Sequence, residues 1–266
     1  MTTPLRIGFV GTGFIAGFHL RALLSVRNVE ISGVYSPSAA HREAFADKVN
    51  VLELGPCSAH ASLADLLLTL GLDAVWLLAP NDQRLAVMRE IHEAVRKKRC
   101  GVRAIACEKP LGRTLSEAIE MLDLAADAGI LHGYLENQLF SSAVVRGHDI
   151  IWRRAVPATG RPYLARAAEE HSGPHAAWFW KGDLQGGGVM SDMMCLSVEV
   201  GRFLLTGPGA PRSSLALRSL SGHVSHLKWQ RPSYAAPEGA EAIVEASTSL
   251  AYVGPGLRLD LALLGP

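Results

Sequence analysis

The feature that most constrains this chain is a glycine turn set between a strand pattern and a helix pattern, close to its first residue. Leu5–Val10 is a largely apolar run, as expected of a strand buried on both faces. Gly11-Thr12-Gly13-Phe14-Ile15-Ala16 follows at once and opens a helical pattern. This matches G-x-G-x-x-[GA] in the strand–turn–helix context that the motif requires. Gly11 permits the tight turn, Gly13 lets backbone approach a pyrophosphate, and Ala16 keeps helix close to strand. Phe14 and Ile15 fall in the first helical turn, whose amides and partial positive charge suit phosphate. A bare glycine pattern is weak, and its bland alternative is a turn needed only for packing.

The pattern that follows supplies the context. Helices are expected over residues 14–26, 37–48, 63–70, 82–98 and 114–128. Strands are expected over 29–35, 51–54, 73–78, 102–107 and 130–134. Ser62 is a helix cap, Thr114 with Glu117 has capping-box spacing, and Gly129 is a stop signal. Repeated β-then-α units of this size predict an α/β fold: an N-terminal Rossmann doubly wound parallel sheet. After residue 135 the pattern changes. Helices over 138–155 and 188–205, a strand over 162–170 and short strand-like runs from 213 predict an α+β domain with an open mixed sheet. The expected domains are 1–135, binding a dinucleotide, and 136–266, for substrate and oligomerisation.

Composition narrows the classes. Apolar residues at 48% and charged residues at 19% provide material for real cores and too little charge for a disordered chain. A formal net charge of +1 gives no basic excess for nucleic acid. The run Arg96-Lys97-Lys98-Arg99 closes a predicted helix, where cations complement the dipole. The four cysteines form no C-x-x-C pair, and no histidine cluster has zinc spacing, so no metal is expected. The start carries no signal-peptide pattern and no apolar stretch is long enough to span a bilayer. A cytoplasmic protein with no membrane partner is the expectation.

The end of the second strand bears on the cofactor. An acidic residue there would bind the ribose hydroxyls of NAD. This chain has Ser36, with His41 and Arg42 nearby. With no carboxylate to repel a 2′-phosphate, the choice between NADP and NAD leans to NADP, although Ser36 and Ser38 are also simple helix-capping residues.

Three further motifs follow in order: Ala79-Pro80-Asn81, Glu108-Lys109-Pro110-Leu111 and Gly186-Gly187-Gly188-Val189-Met190-Ser191-Asp192. Together with the glycine turn they resemble the Gfo/Idh/MocA family of NAD(P)-dependent oxidoreductases over most of the chain. The resemblance implies that Pro80 and Asn81 flank the cofactor and that Glu108 sits near the nicotinamide side. It implies that Lys109 points into the substrate cleft, before a cis-prone Lys-Pro bond. Asn137 is similar to the asparagine after the sixth strand, on the substrate side, and Asp192 to the acid of the second-domain helix.

Chemistry gives Lys109 an independent role. When a hydride leaves a carbinol carbon the hydroxyl proton must leave too, and an amine at the cleft can hold that oxygen or move its proton. A partly buried ammonium gives up its proton more readily. The alternative is a surface lysine before a turn. The chain also departs from the family. The position four residues after Asp192, where a histidine is usual, is Leu196, which carries no proton, and Arg84 stands where a histidine often follows Pro-Asn. His171 and His175 are candidate substrate contacts that compensate. Trp178 offers a flat face for a sugar, or simply core packing. The last residues follow a strand-like run, so the second sheet is expected to be incomplete, by truncation or natural shortening. The resemblance leaves open a homo-oligomer through that sheet. The expected activity is hydride transfer to or from a sugar- or polyol-like carbinol or carbonyl. The alternatives are a cofactor-binding regulator without turnover and an NAD-dependent glycoside hydrolase.

Overall fold

The chain divides into two compact units, Met1–Leu135 and Glu136–Pro266. A computed structural model describes residues 3–168, 176–225, 245–252 and 258–263.

The first unit runs β1 (Leu5–Val10), α1 (Phe14–Leu23), β2 (Val29–Tyr35), α2 (Ala39–Val51), β3 (Ser58–His60) and α3 (Leu63–Leu67). It continues through β4 (Ala74–Leu77), α4 (Asn81–Arg96), β5 (Ala104–Glu108), α5 (Leu115–Ala128) and β6 (Leu131–Leu135). Its six strands are parallel, in the order β3-β2-β1-β4-β5-β6. The order reverses beside β1, which has β2 on one side and β4 on the other. Ala16, Leu20, Phe45 and Val49 of α1 and α2 pack with Ile7, Phe9 and Ile31 on one face. Leu66, Met88, Ile91, Met121 and Ala125 of α3, α4 and α5 pack with Val75, Leu77 and Ile105 on the other. Burial on both faces is why these strands read as apolar runs. Each fully buried Leu, Ile or Phe contributes about 2 kcal/mol, so these two layers dominate the unit's stability. This is the doubly wound sheet that the β-then-α repeats predict.

The helix starts show their chemistry. Ser38, Ser62 and Thr114 accept from the amides of His41, Asp65 and Glu117, and Gly129 closes α5 in the left-handed region. The capping box is only half formed, because the Glu117 carboxylate accepts from the Arg113 amide at 2.8 Å. One expectation fails locally. Residues 51–54 are not a strand: α2 runs on to Val51, and Glu53 takes a positive φ to leave it. The Asn50 side chain then clasps both the amide and the carbonyl of Cys57, at 2.8 and 3.0 Å, which launches β3 at Ser58.

The second unit begins with a 3-10 turn, Gln138–Phe140. Then come α6 (Ser142–Ile150), a π-helical turn Ile151–Ala155, α7 (Val156–Thr159), β7 (Leu164–Ala168) and α8 (Gly182–Gln185). A second π-helical turn, Met190–Met194, leads into α9 (Cys195–Leu205), followed by β8 (Leu217–Ser225), β9 (Glu245–Tyr252) and β10 (Arg258–Leu263). The sheet order is β7-β10-β9-β8, with β7 and β10 parallel and the other pairs antiparallel. A mixed sheet is what the sequence predicts for this half. Its described core is small: Met194, Leu205 and Leu215, with Ala165, Ala167 and Val198 packed against them. The Trp152 indole donates to the Leu204 carbonyl at 3.0 Å, tying the first π-turn to the end of α9. Among the described residues no helix is long and apolar enough to cross a membrane.

Candidate functional site

Parallel strands deliver all their carboxyl ends to one edge of the sheet, and ligands of such sheets bind where the strand order reverses. Here that place lies between the ends of β1 and β4. The two glycines of the turn have different reasons to be there. Gly11 has φ of +110°, donates to the Tyr35 carbonyl at 2.9 Å, and would place a Cβ 2.8 Å from the Leu78 backbone. It is required by the protein's own packing. Gly13 has φ of −73° and ψ of −168°, which any residue adopts, and no atom lies within 4 Å of where its Cβ would be. Among the described residues nothing requires a glycine there, so the packing-only explanation covers Gly11 alone. Gly13 also starts α1 without any side-chain cap, unlike α2, α3 and α5, and amides of a first helical turn have no acceptor inside the helix.

The other candidates of this unit line the same edge. Ala16 is fully buried against the sheet, Ile15 is half-buried beside the same cluster, and Phe14 lies on the exposed face of α1, its ring 4.9 Å from that of Phe18. Ser36 follows β2 and is buried. The Arg42 guanidinium donates to the carbonyls of Ser36 and Pro37 at 3.3 and 3.2 Å, which holds it at the end of β2. Ser38, not Ser36, caps α2. Pro80 and Asn81 open α4 after β4, with Asn81 buried.

Glu108, Lys109 and Pro110 leave β5, and the Lys109–Pro110 bond is cis. Glu108 is buried, with one carboxylate oxygen 2.9 Å from His19 Nε2 and the other accepting from the Lys109 amide at 2.9 Å. Lys109 is half-buried. His19 on α1 was not singled out by sequence reasoning, because its partner lies 89 residues away. Arg84 is also more than a departure from a family pattern: it is buried and donates to the carbonyls of Ala79, Glu108 and Pro110. Burial pushes the Cys107 thiol up to about 11 and the Cys57 thiol up to about 12, so neither supplies a thiolate here.

In the second unit Asn137 is exposed at the start of the 3-10 turn. Asp192 is half-buried on the second π-turn, and Leu196 is buried on α9. The triple glycine forms the loop before that turn, with Gly186 and Gly188 at positive φ. Gln185, almost fully buried, clasps the loop: its Nε2 donates to the Gly188 carbonyl at 3.1 Å and its Oε1 accepts from the Gly188 amide. Nothing in the sequence distinguished Gln185 from a surface glutamine. Trp178 is half-buried and stacks on Phe179, ring centroids 3.8 Å apart. His171 and His175 lie outside the described residues. No group of three potential metal ligands occurs among the described residues.

A doubly wound parallel sheet with a glycine turn at its order reversal defines a Rossmann-type protein. Residues 5–134 match the Gfo/Idh/MocA family model, described as "Oxidoreductase family, NAD-binding Rossmann fold". A 1,5-anhydro-D-fructose reductase from Ensifer adhaerens is 28% identical over 224 residues, covering 82% of this chain and 61% of the relative. The chain thus spans less than two thirds of that relative's length. Among solved structures, GenD2 from gentamicin A biosynthesis, in complex with NAD, superposes with a TM-score of 0.80 at 19% identity. That match covers 99% of this chain and 66% of the other. A super-repressor mutant of Gal80p from Saccharomyces cerevisiae gives 0.79 at 14% identity, covering 99% and 68%. These likenesses establish the fold.

Proposed function

We propose that this protein is an NAD(P)-dependent oxidoreductase acting on a carbinol or carbonyl carbon of a sugar- or polyol-like molecule. The observation that carries the reading is the open space at Gly13, beside an uncapped helix start at the strand-order reversal. The first unit is the nucleotide domain and the second, 136–266, the substrate domain. The residues present fit a dinucleotide: Gly11 and Gly13 bring backbone to the diphosphate, with Phe14, Ile15 and Ala16 forming the helical turn beneath it. Ser36 and Arg42 stand where the adenosine ribose would lie, and Pro80, Asn81 and Glu108 toward the nicotinamide. A bound dinucleotide supplies or accepts the hydride at its nicotinamide C4.

The chain's own residues handle everything else. In oxidation, the carbinol C–H and O–H bonds break, the carbon loses a hydride and the oxygen a proton. Lys109 holds that oxygen and takes the proton, or returns it in the reverse direction. Glu108 fixes the Lys109 amide, and His19 fixes Glu108. In the second unit, Asp192 is the candidate to bind a substrate hydroxyl, with Asn137, Trp178, His171 and His175 as further substrate candidates. The name of the Ensifer reductase supports a sugar-like substrate. We place NADP ahead of NAD, because a guanidinium at the end of β2 suits a 2′-phosphate.

Calorimetry with NADPH and NADH, followed by absorbance of the reduced cofactor with a panel of ketoses and polyols, tests this. Gly13→Ala is expected to keep the melting temperature and weaken nucleotide binding at least tenfold, about 1.4 kcal/mol. Arg42→Gln is expected to weaken NADPH alone. Heat with neither nucleotide would end the proposal. One observation favours a second reading, a cofactor-binding regulator: buried Leu196 stands where the resemblance leads one to expect a proton-carrying histidine. Tight binding without turnover across the panel, and no gain on Leu196→His, would select it.

A further inference from the structure

Arg84 sits in the first turn of α4 with only 5% of its surface exposed. A buried ion is retained only where its hydrogen bonds are well met. Its Nε donates to the Ala79 carbonyl at 2.9 Å, and its Nη1 to the carbonyl of Glu108 at 2.8 Å and to that of Pro110. These acceptors belong to two different strand exits. Ala79 follows β4, and Glu108 and Pro110 are the residues on either side of Lys109. The Lys109 amide is itself tied to the Glu108 carboxylate. The backbone therefore has a fixed course both before and after Lys109.

We infer that Arg84 is a positioning residue for Lys109: it sets the pose of the lysine by gripping the peptides that flank it, and itself exchanges no proton. The inference rests on the reading of Lys109 as the proton handler. The planar guanidinium suits the task, because donors aimed in two directions reach two strand exits at once. A lysine ammonium has the charge without the fork. An arginine also stays protonated in proteins, so the grip does not vary with the pH of catalysis.

The test uses Arg84→Lys in the full chain, with Arg89→Gln as a control on the exposed side of the same helix, where Arg89 pairs with Glu120. Arg84→Lys is expected to bind NADPH as the wild type does and to lose about 100-fold in kcat, the effect of roughly 1 Å of misplacement. KM is expected to stay within a few-fold, and the isotope effect with C4-deuterated cofactor to rise as chemistry becomes limiting. A merely less stable protein would lose active fraction without changing that isotope effect. Acylation of Lys109 by an amine-reactive ester, read by mass spectrometry against exposed Lys48, gives a readout that needs no turnover and is expected to rise. If the wild type turns over nothing, the proposed function falls and the acylation alone decides this inference. Arg84→Met carries the same expectations should Arg84→Lys not fold. Unchanged kcat and unchanged acylation would overturn the inference, as would failure of both variants to fold, which would leave Arg84 a purely structural group.

Discussion

The two units solve the same problem, placing polar groups at a helix start, with different materials. In the first, backbone does the placing: parallel strands buried on both faces end together, and Gly11 lets one strand exit press on another. In the second, the described core is small, and α6, its π-turn and α7 contain no buried residue. The loop before Asp192 is held by the side chains of Gln185 and Ser191, both bonded to the Gly188 backbone. Geometry fixed by a large buried sheet tolerates little change, whereas geometry fixed by a few side chains yields to small ones.

That contrast can be broken by substitution. The largest effect is expected from Gly11→Ala, where a positive φ and an immovable backbone neighbour act together. It should cost about 4 kcal/mol, read by thermal unfolding, and abolish nucleotide binding. A well-folded variant that still binds would show that the two strand exits move apart freely. Leu66→Ala in the first core should cost about 3 kcal/mol, and Leu205→Ala in the second about 2 kcal/mol, both by chemical denaturation. Equal losses would erase the difference between the units.

A smaller effect concerns Asp73, before β4. The Arg6 amide, and then Arg103, hold its carboxyl below the usual carboxylate range. A lowered folded value means that its contribution is present above the unfolded value, near 3.9, and is lost as pH falls through the folded one. Asp73→Asn should therefore cost about 1 kcal/mol at pH 7 and converge with the wild type in acid. A loss that persists in acid would assign the effect to shape instead of charge. The smallest effect is chemical. Cys57 and Cys107, with burial pushing their thiols up, should resist iodoacetamide at neutral pH in the folded protein.

The first unit was legible in the sequence because its signals are local. The glycine turn adjoins its strand and helix, and Ser62, Thr114 and Gly129 mark ends through neighbouring amides. What failed there was also local competition: residues 51–54 are mostly apolar, as in a short strand, yet the helix before them continues and Asn50 locks the turn. β3, Ser58–His60, has too few residues and too little apolar character to announce itself. Arg84 and His19 were opaque because each acts through partners far along the chain. In the second unit, the period of 3.6 residues predicted two unbroken helices, and π-turns interrupt both. Such turns slip the phase of the apolar pattern by a single residue, which is hard to read in helices only a few turns long.

The second of those turns carries an evolutionary consequence. A π-turn amounts to one residue inserted into an α-helix. A relative lacking one residue between Met190 and Met194 would keep a continuous helix, yet everything upstream would rotate by roughly 100° about its axis. The carboxylate of Asp192 would then point to another quarter of the compass, so a single-codon deletion would re-aim that side chain while sparing the fold.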